Sequence, residues 1–140
     1  MGLDQVAFVI TKESNAVTLL KGDPPPINVV SLVKDKYPDP NEAGVKTIWT
    51  WRKHADLQAW MTRLFHHRGG DGDFNVAQDV RVEELDLDDL ERDMKDGLDK
   101  GQGFLWGESL PSDEKSTREF IKVARKHIEK GDMVYYSSWY

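Results

Sequence analysis

The chain has 140 residues, 39% hydrophobic and 31% charged, with a formal net charge of −6 and no cysteine. One domain of this size buries roughly 68–70% of its unfolded surface, so the composition excludes disorder, and the missing thiols exclude a disulfide framework. The acidic total excludes a duplex-DNA binder, which carries a basic footprint over its whole domain.

No apolar run approaches the ~20 residues of a membrane span. Met1–Gln5 lacks the basic and apolar regions of a secretory signal, and Val6 stands where a myristoylation signal needs Ser or Thr. The expectation is a cytoplasmic protein with no membrane partner.

In chain order, Val6–Thr11 is rich in β-formers and reads as a buried strand. Asn15–Leu20 is placed to pair with it as a hairpin, and Gly22–Pro26 interrupts regular structure because successive prolines supply no amide donors. Ile27–Val33 reads as another strand, Tyr37–Gly44 as a loop, and Val45–Thr50 as a strand with mixed faces. Leu57, Trp60, Met61, Leu64 and Phe65 then form one apolar stripe at helical period, stopped by Gly69-Gly70. Arg52 and Asp56 have the i,i+4 spacing of an opposite-sign pair on that helix.

Phe74–Val82 reads as extended. Asp86 is expected to cap a second helix carrying Leu87, Leu90, Met94 and Leu98, ended by Gly101-Gln102-Gly103. Ser112 with Asp113 and Glu114 opens a third, with Phe120, Ile121, Ala124 and Ile128 on its buried stripe and Gly131 closing it. Met133–Tyr136 returns as a strand. The expected class is α+β: a single domain over 1–140, several mainly antiparallel strands packed with about three helices.

Charge is distributed unevenly. From Asp71 to Lys100 twelve acidic residues stand against four basic ones, whereas Lys46, Arg52, Lys53, Arg63 and Arg68 face only Asp56 between positions 46 and 68. The basic run coincides with an aromatic segment, Trp49-Thr50-Trp51-Arg52-Lys53-His54, and a second cluster, Tyr135-Tyr136-Ser137-Ser138-Trp139-Tyr140, follows at the C-terminal end.

Trp51-Arg52-Lys53 with Trp60, the segment Gly103-Phe104-Leu105-Trp106-Gly107, and Tyr135-Tyr136-Ser137-Ser138-Trp139 keep the order and approximate spacing of three blocks over residues 49–139. In this the chain resembles a family of small tailed-bacteriophage proteins of unassigned function. That family carries a Tyr-Trp-Arg-Lys helix start, a Gly-Phe-Phe-Phe-Gly segment and a Tyr-Tyr-x-Ser-Trp terminus. The chain departs from it at Ala55 and Gln58, near where the family has Asn and His. The resemblance implies a viral accessory protein acting inside a bacterium and implies no activity.

The candidate binding residues are Trp49, Trp51, Arg52, Lys53, Tyr136, Trp139 and Tyr140. Trp and Tyr are enriched in interface hot spots. Arg offers a bidentate fork and Lys a point charge to an anion at a helix N-terminus. Trp51 is open to two readings, packing plug or exposed platform.

No metal or cofactor is expected. His66 and His67 are adjacent and diverge by about 100° on a helix. The calcium-like start Asp71-Gly72-Asp73-Phe74-Asn75 has Val76 where Gly is needed and Val82 at its twelfth position. Gly101–Gly107 lacks both the dinucleotide spacing and a P-loop Lys-Ser/Thr. The reading is a non-catalytic accessory protein that binds and modulates a host protein, with the acidic helix as a second face. The alternative is a binder of a phosphorylated nucleotide or similar small anion, stacked on Trp51 or Tyr136 beside Arg52 and Lys53.

Overall fold

A four-stranded antiparallel sheet carries three helices, and alternation along each strand decides which side chains meet them. The computed structural model describes residues 2–14, 44–75, 78–103 and 105–140. In chain order the elements are β1 (Asp4–Ile10), β2 (Val45–Arg52), α1 (Ala55–His67), β3 (Asp79–Val82), α2 (Glu84–Asp96), α3 (Pro111–Glu129) and β4 (Met133–Trp139). The sheet order is β2-β1-β4-β3, and the class is the expected α+β. The anticipated strands Asn15–Leu20 and Ile27–Val33 and the turns beside them lie outside the described residues. No described helix is long and apolar enough to cross a membrane.

Successive strand side chains point to opposite faces. Ala7 and Val9, Val80 and Val82, and Val134 and Tyr136 therefore share one face with Trp51. Against them pack Leu57, Met61 and Phe65 of α1, Leu87, Leu90 and Met94 of α2, and Phe120, Ile121 and Ala124 of α3. These are the periodic stripes of the sequence, now in one core. On the opposite face Phe8 and Tyr135, cross-strand partners, stack with ring centroids 5.6 Å apart. Burial pushes the Tyr135 hydroxyl up to about 12.

A bulge explains the mixed pattern of β2. Ala7 pairs with Trp49 and Phe8 with Thr47, so Ile48 is the extra residue, and Ile48 and Trp49 both pack on the core although consecutive.

Strands β2 and β4 run on to Arg52 and Trp139, past the expected Thr50 and Tyr136, and other boundaries differ as well. Asp86 does not cap α2: it lies at the third helical position, where its carboxylate accepts the Glu83 amide at 2.8 Å. That helix ends at Asp96 because Gly97 takes φ 88°, short of the Gly101–Gly103 stop. Helix α3 begins at Pro111, whose missing amide costs nothing in the first turn, with Asp113 accepting the Leu110 amide at 2.7 Å. Within the expected extended run 74–82, only Asp79–Val82 forms a strand.

A buried polar chain ties the sheet to α1. Gln5 Nε2 donates to the His54 carbonyl (3.0 Å) and to the Tyr136 hydroxyl (2.8 Å), while Gln5 Oε1 accepts the His54 amide (2.9 Å). Tyr136 donates in turn to Gln58 Oε1 (2.7 Å), and Gln58 Nε2 donates to Ser138 Oγ (2.8 Å) and the Phe74 carbonyl (3.2 Å). Gln5, Gln58, Tyr136 and Ser138 are all buried. Replacing Tyr136 with Phe removes one hydroxyl and strands two buried amides. The expected cost is about 1–3 kcal/mol, read as a lower denaturation midpoint at unchanged slope.

Candidate functional site

The aromatic-basic segment divides between core and surface. Trp51 is 6% exposed; its Nε1 donates to Thr117 Oγ1 at 3.1 Å and its ring meets Phe120 edge-on at 4.8 Å. Tyr136 is 0% exposed, and burial raises its hydroxyl far above the usual phenol range. Both side chains are taken up in the core, so for Trp51 the packing role is the one the fold realises. The reason is strand alternation: both face the helices. Trp49 is half-buried and donates to Ser116 Oγ at 3.0 Å.

Arg52 and Lys53 remain outside. Arg52 is the last residue of β2, not the first turn of a helix, so its expected pairing with Asp56 does not form. Its guanidinium is 64% exposed and stands 3.9 Å from Asp4. Lys53 is exposed, has φ 57°, and makes no ion pair among the described residues. Its amide donates to the Leu3 carbonyl at 2.8 Å, which turns the chain out of β2 into α1. Asp4 pairs with Arg52 on one side and Trp139 on the other, so these two flank it about 10 Å apart across three strands. Trp139 is 46% exposed. A shallow depression of about 320 Å³ is bordered by Trp139, Arg52, Asp4, Thr50, Gln5 and Trp51.

Tyr140 turns away from this surface. Its backbone is held on both sides by Asn75, through the Tyr140 amide to Oδ1 (2.9 Å) and Asn75 Nδ2 to the Tyr140 carbonyl (3.3 Å).

The N-terminus of α1 is filled by the chain itself. The Asp56 amide donates to Ser109 Oγ (2.9 Å), and Asp56 Oδ1 accepts the Gly101 amide (2.9 Å). Gly101 sits so close that a Cβ there would fall 1.9 Å from the Ala55 carbonyl oxygen, so only glycine fits. A phosphate at this helix end would find the Asp56 amide taken. Ser109 Oγ also lies 2.6 Å from His54 Nδ1. His54 is wholly buried, and burial lowers its pKa against the opposing pull of Asp113, Asp56 and Glu114. Its Nε2 has no hydrogen-bond partner among the described residues.

The rest of the basic run is structural or solvated. Arg68 pairs with Asp86 at 2.5 Å and donates to the Arg81 carbonyl at 3.1 Å, locking α1 to the start of α2. The acidic face of α2 is partly used within the fold: Arg125 of α3 bridges Asp88 (2.7 Å) and Glu91 (2.9 Å), and Trp60 Nε1 donates to Asp93 (2.9 Å). Among the described residues no group of three or more His, Asp or Glu is disposed around a metal.

Sequence reasoning passed over Gln5, Gln58 and Ser109 as working residues. Gln58 offered a signal: with Met61 and Phe65 it falls at i, i+3 and i+7, a polar residue on the apolar stripe. Ser109 offered none, since it meets α1 only through tertiary folding. No known protein family model, curated protein sequence or solved structure is significantly similar to the chain.

His54 generates a pH dependence with a definite sign. Its folded pKa lies below the unfolded value near 6.5, so the unfolded chain takes up the proton first. This contribution to stability is intact above about pH 7 and is lost as pH falls through 6.5 toward the depressed folded value. Denaturation midpoints measured down this range should fall for the native chain and fall less for His54→Leu. Equal slopes for the two would show that the imidazole does not carry the effect.

Proposed function

We propose that the protein is a phage-encoded accessory protein that binds and modulates a host protein, and that it docks through the end of the sheet bearing Trp139, Arg52 and Lys53. The observation that carries this reading is the exposed Trp139 on the same sheet end as Arg52, which Asp4 meets only at 3.9 Å, with the exposed Lys53 next along the chain. Trp49, Trp51, Trp60 and Tyr136 have packing and hydrogen-bonding roles within the fold, whereas Trp139 has a large exposed face. Aromatic anchors rimmed by Arg are what interface hot spots are made of. The cations steer the surface toward an acidic partner, against the chain's overall charge of −6. The family resemblance of the three sequence blocks supplies the viral and cytoplasmic setting of this proposal, not its surface.

A second reading keeps the same groups for a small anion. The depression between Trp139 and Arg52 favours it, because a base stacked on Trp139 would put its phosphate toward Arg52 and Lys53. Stacking on Trp51 or Tyr136 is closed by their burial.

Immobilised native protein should retain a host protein from bacterial lysate in stoichiometric amount. The Trp139→Ala/Arg52→Glu double variant, with an unchanged melting temperature, should lose it. Retention of the same proteins by both would sink the docking surface. Loss of phosphate-dependent quenching of tryptophan fluorescence in the variant, without any protein partner, would move the function to the anion reading.

A further inference from the structure

Three sequence features that the docking surface leaves unused meet around one cavity: the Asp71–Asn75 loop, the Gly101–Gly107 segment and Tyr140. The cavity measures about 390 Å³ and is bounded chiefly by His66, Asp73, Phe74, Gln102, Trp106 and Tyr140. The Trp106 and Tyr140 rings stand at 74° to one another with centroids 5.6 Å apart, making a corner of two aromatic walls. Phe74 is held behind it by stacking on Phe65 at 4.6 Å and 12°. Asn75 grips both sides of the Tyr140 backbone, so the corner is braced on the loop that also carries Asp73.

The charges around it have one sign preference. Asp73 is exposed at the rim, and among the described residues no Lys or Arg lines the cavity. Burial and the nearby Asp73 carboxylate both raise the Tyr140 hydroxyl pKa, so the carboxylate's field reaches the aromatic wall. His66 is committed elsewhere, with Nε2 2.8 Å from the Gly72 carbonyl. Trp106 is 9% exposed, and its Nε1 has no hydrogen-bond partner among the described residues.

We propose that this corner binds a methylated ammonium group, held against the Trp106 and Tyr140 rings and balanced by the Asp73 carboxylate. Aromatic faces carry the negative lobe of the ring quadrupole and attract cations. Methyl groups on the nitrogen suit the apolar walls, which offer few acceptors to a primary ammonium that would have to shed its water. The site is independent of the docking surface: it shares none of Trp139, Arg52 or Lys53.

The test is an NMR titration of the full chain at constant ionic strength. Three probes are compared: choline, its uncharged isostere dimethylbutanol with carbon in place of nitrogen, and a short peptide carrying trimethyllysine. Choline is expected to shift the Trp106 indole signal saturably and to bind roughly ten-fold more tightly than the isostere. Asp73→Asn, at an exposed position, should weaken choline several-fold without altering the fold, and Tyr140→Leu should weaken it further. Tighter binding of the peptide than of choline would place the ammonium on a protein tail; equal or weaker binding would make it a free small molecule, and both outcomes support the site. Equal affinity for choline and the isostere, no saturable shift with any probe, or an unchanged choline affinity in Asp73→Asn would overturn it.

Discussion

The rest of the structure depends on the buried chain that runs from Gln5 through Tyr136 to Gln58. Every polar atom of the two amides has a partner: Gln5 gives both hydrogens and accepts one, and Gln58 does the same. The direction of each bond is therefore forced, because Tyr136 accepts from Gln5 and has a single hydrogen to give to Gln58. Register follows from this. Gln5 lies opposite Ser138 and Ala7 opposite Tyr136, so slipping β1 by one residue would turn Gln5 to the far face and strand its buried partners. The same bonds fix the His54 backbone, and with it the point where β2 gives way to α1.

Satisfying this chain decides which aromatics remain for anything else. Trp51 donates to Thr117, Trp49 to Ser116, Trp60 to Asp93 and Tyr136 to Gln58. Each buries a large apolar body and ties off its polar tip within the fold, the arrangement by which such residues stabilise a core. Trp106 and Tyr135 depart from that rule, each buried with a polar tip that has no hydrogen-bond partner among the described residues, and Trp139 departs from it by exposure. Trp106 and Trp139 belong to the two surfaces proposed to bind.

Much of the fold was legible because it rests on periodicity. The stripe from Leu57 to Phe65 and the stripe through Phe120, Ile121 and Ala124 read directly as helices, and Val6–Ile10 as a buried strand. Helix ends were less legible. Asp86 resembles a cap in sequence, but the Glu83 amide reaches back to it from one turn earlier, and Gly97 ends α2 through its positive φ. The site was legible only in outline. Trp49-Thr50-Trp51-Arg52 stood out as one aromatic-basic segment, but the split between inward Trp51 and outward Arg52 depends on β2 continuing to Arg52, and the helix appeared to begin sooner. Tyr136 and Trp139 look alike in a terminal aromatic run; three positions apart on one strand, they face opposite sides. The Asp73–Tyr140 juxtaposition has no local signal at all, since it is created by Asn75 pairing with a backbone 65 residues away.

The end of β4 shows how one short segment can serve two surfaces of opposite charge. Ser138 faces the core and Trp139 the outer face, beside Arg52 and Asp4. One residue later Tyr140 leaves the strand and packs on Trp106, near Asp73. Neighbouring residues on an extended chain advance only about 3.3 Å, yet the alternation of the pleat sends their side chains into separate environments. Trp139 thus stands on the side of the sheet that carries Arg52, with Asp4 between them, and Tyr140 stands near Asp73. An acidic partner and an organic cation would each be drawn to one aromatic and repelled from the other, so the same dipeptide can present two surfaces without their competing for a ligand.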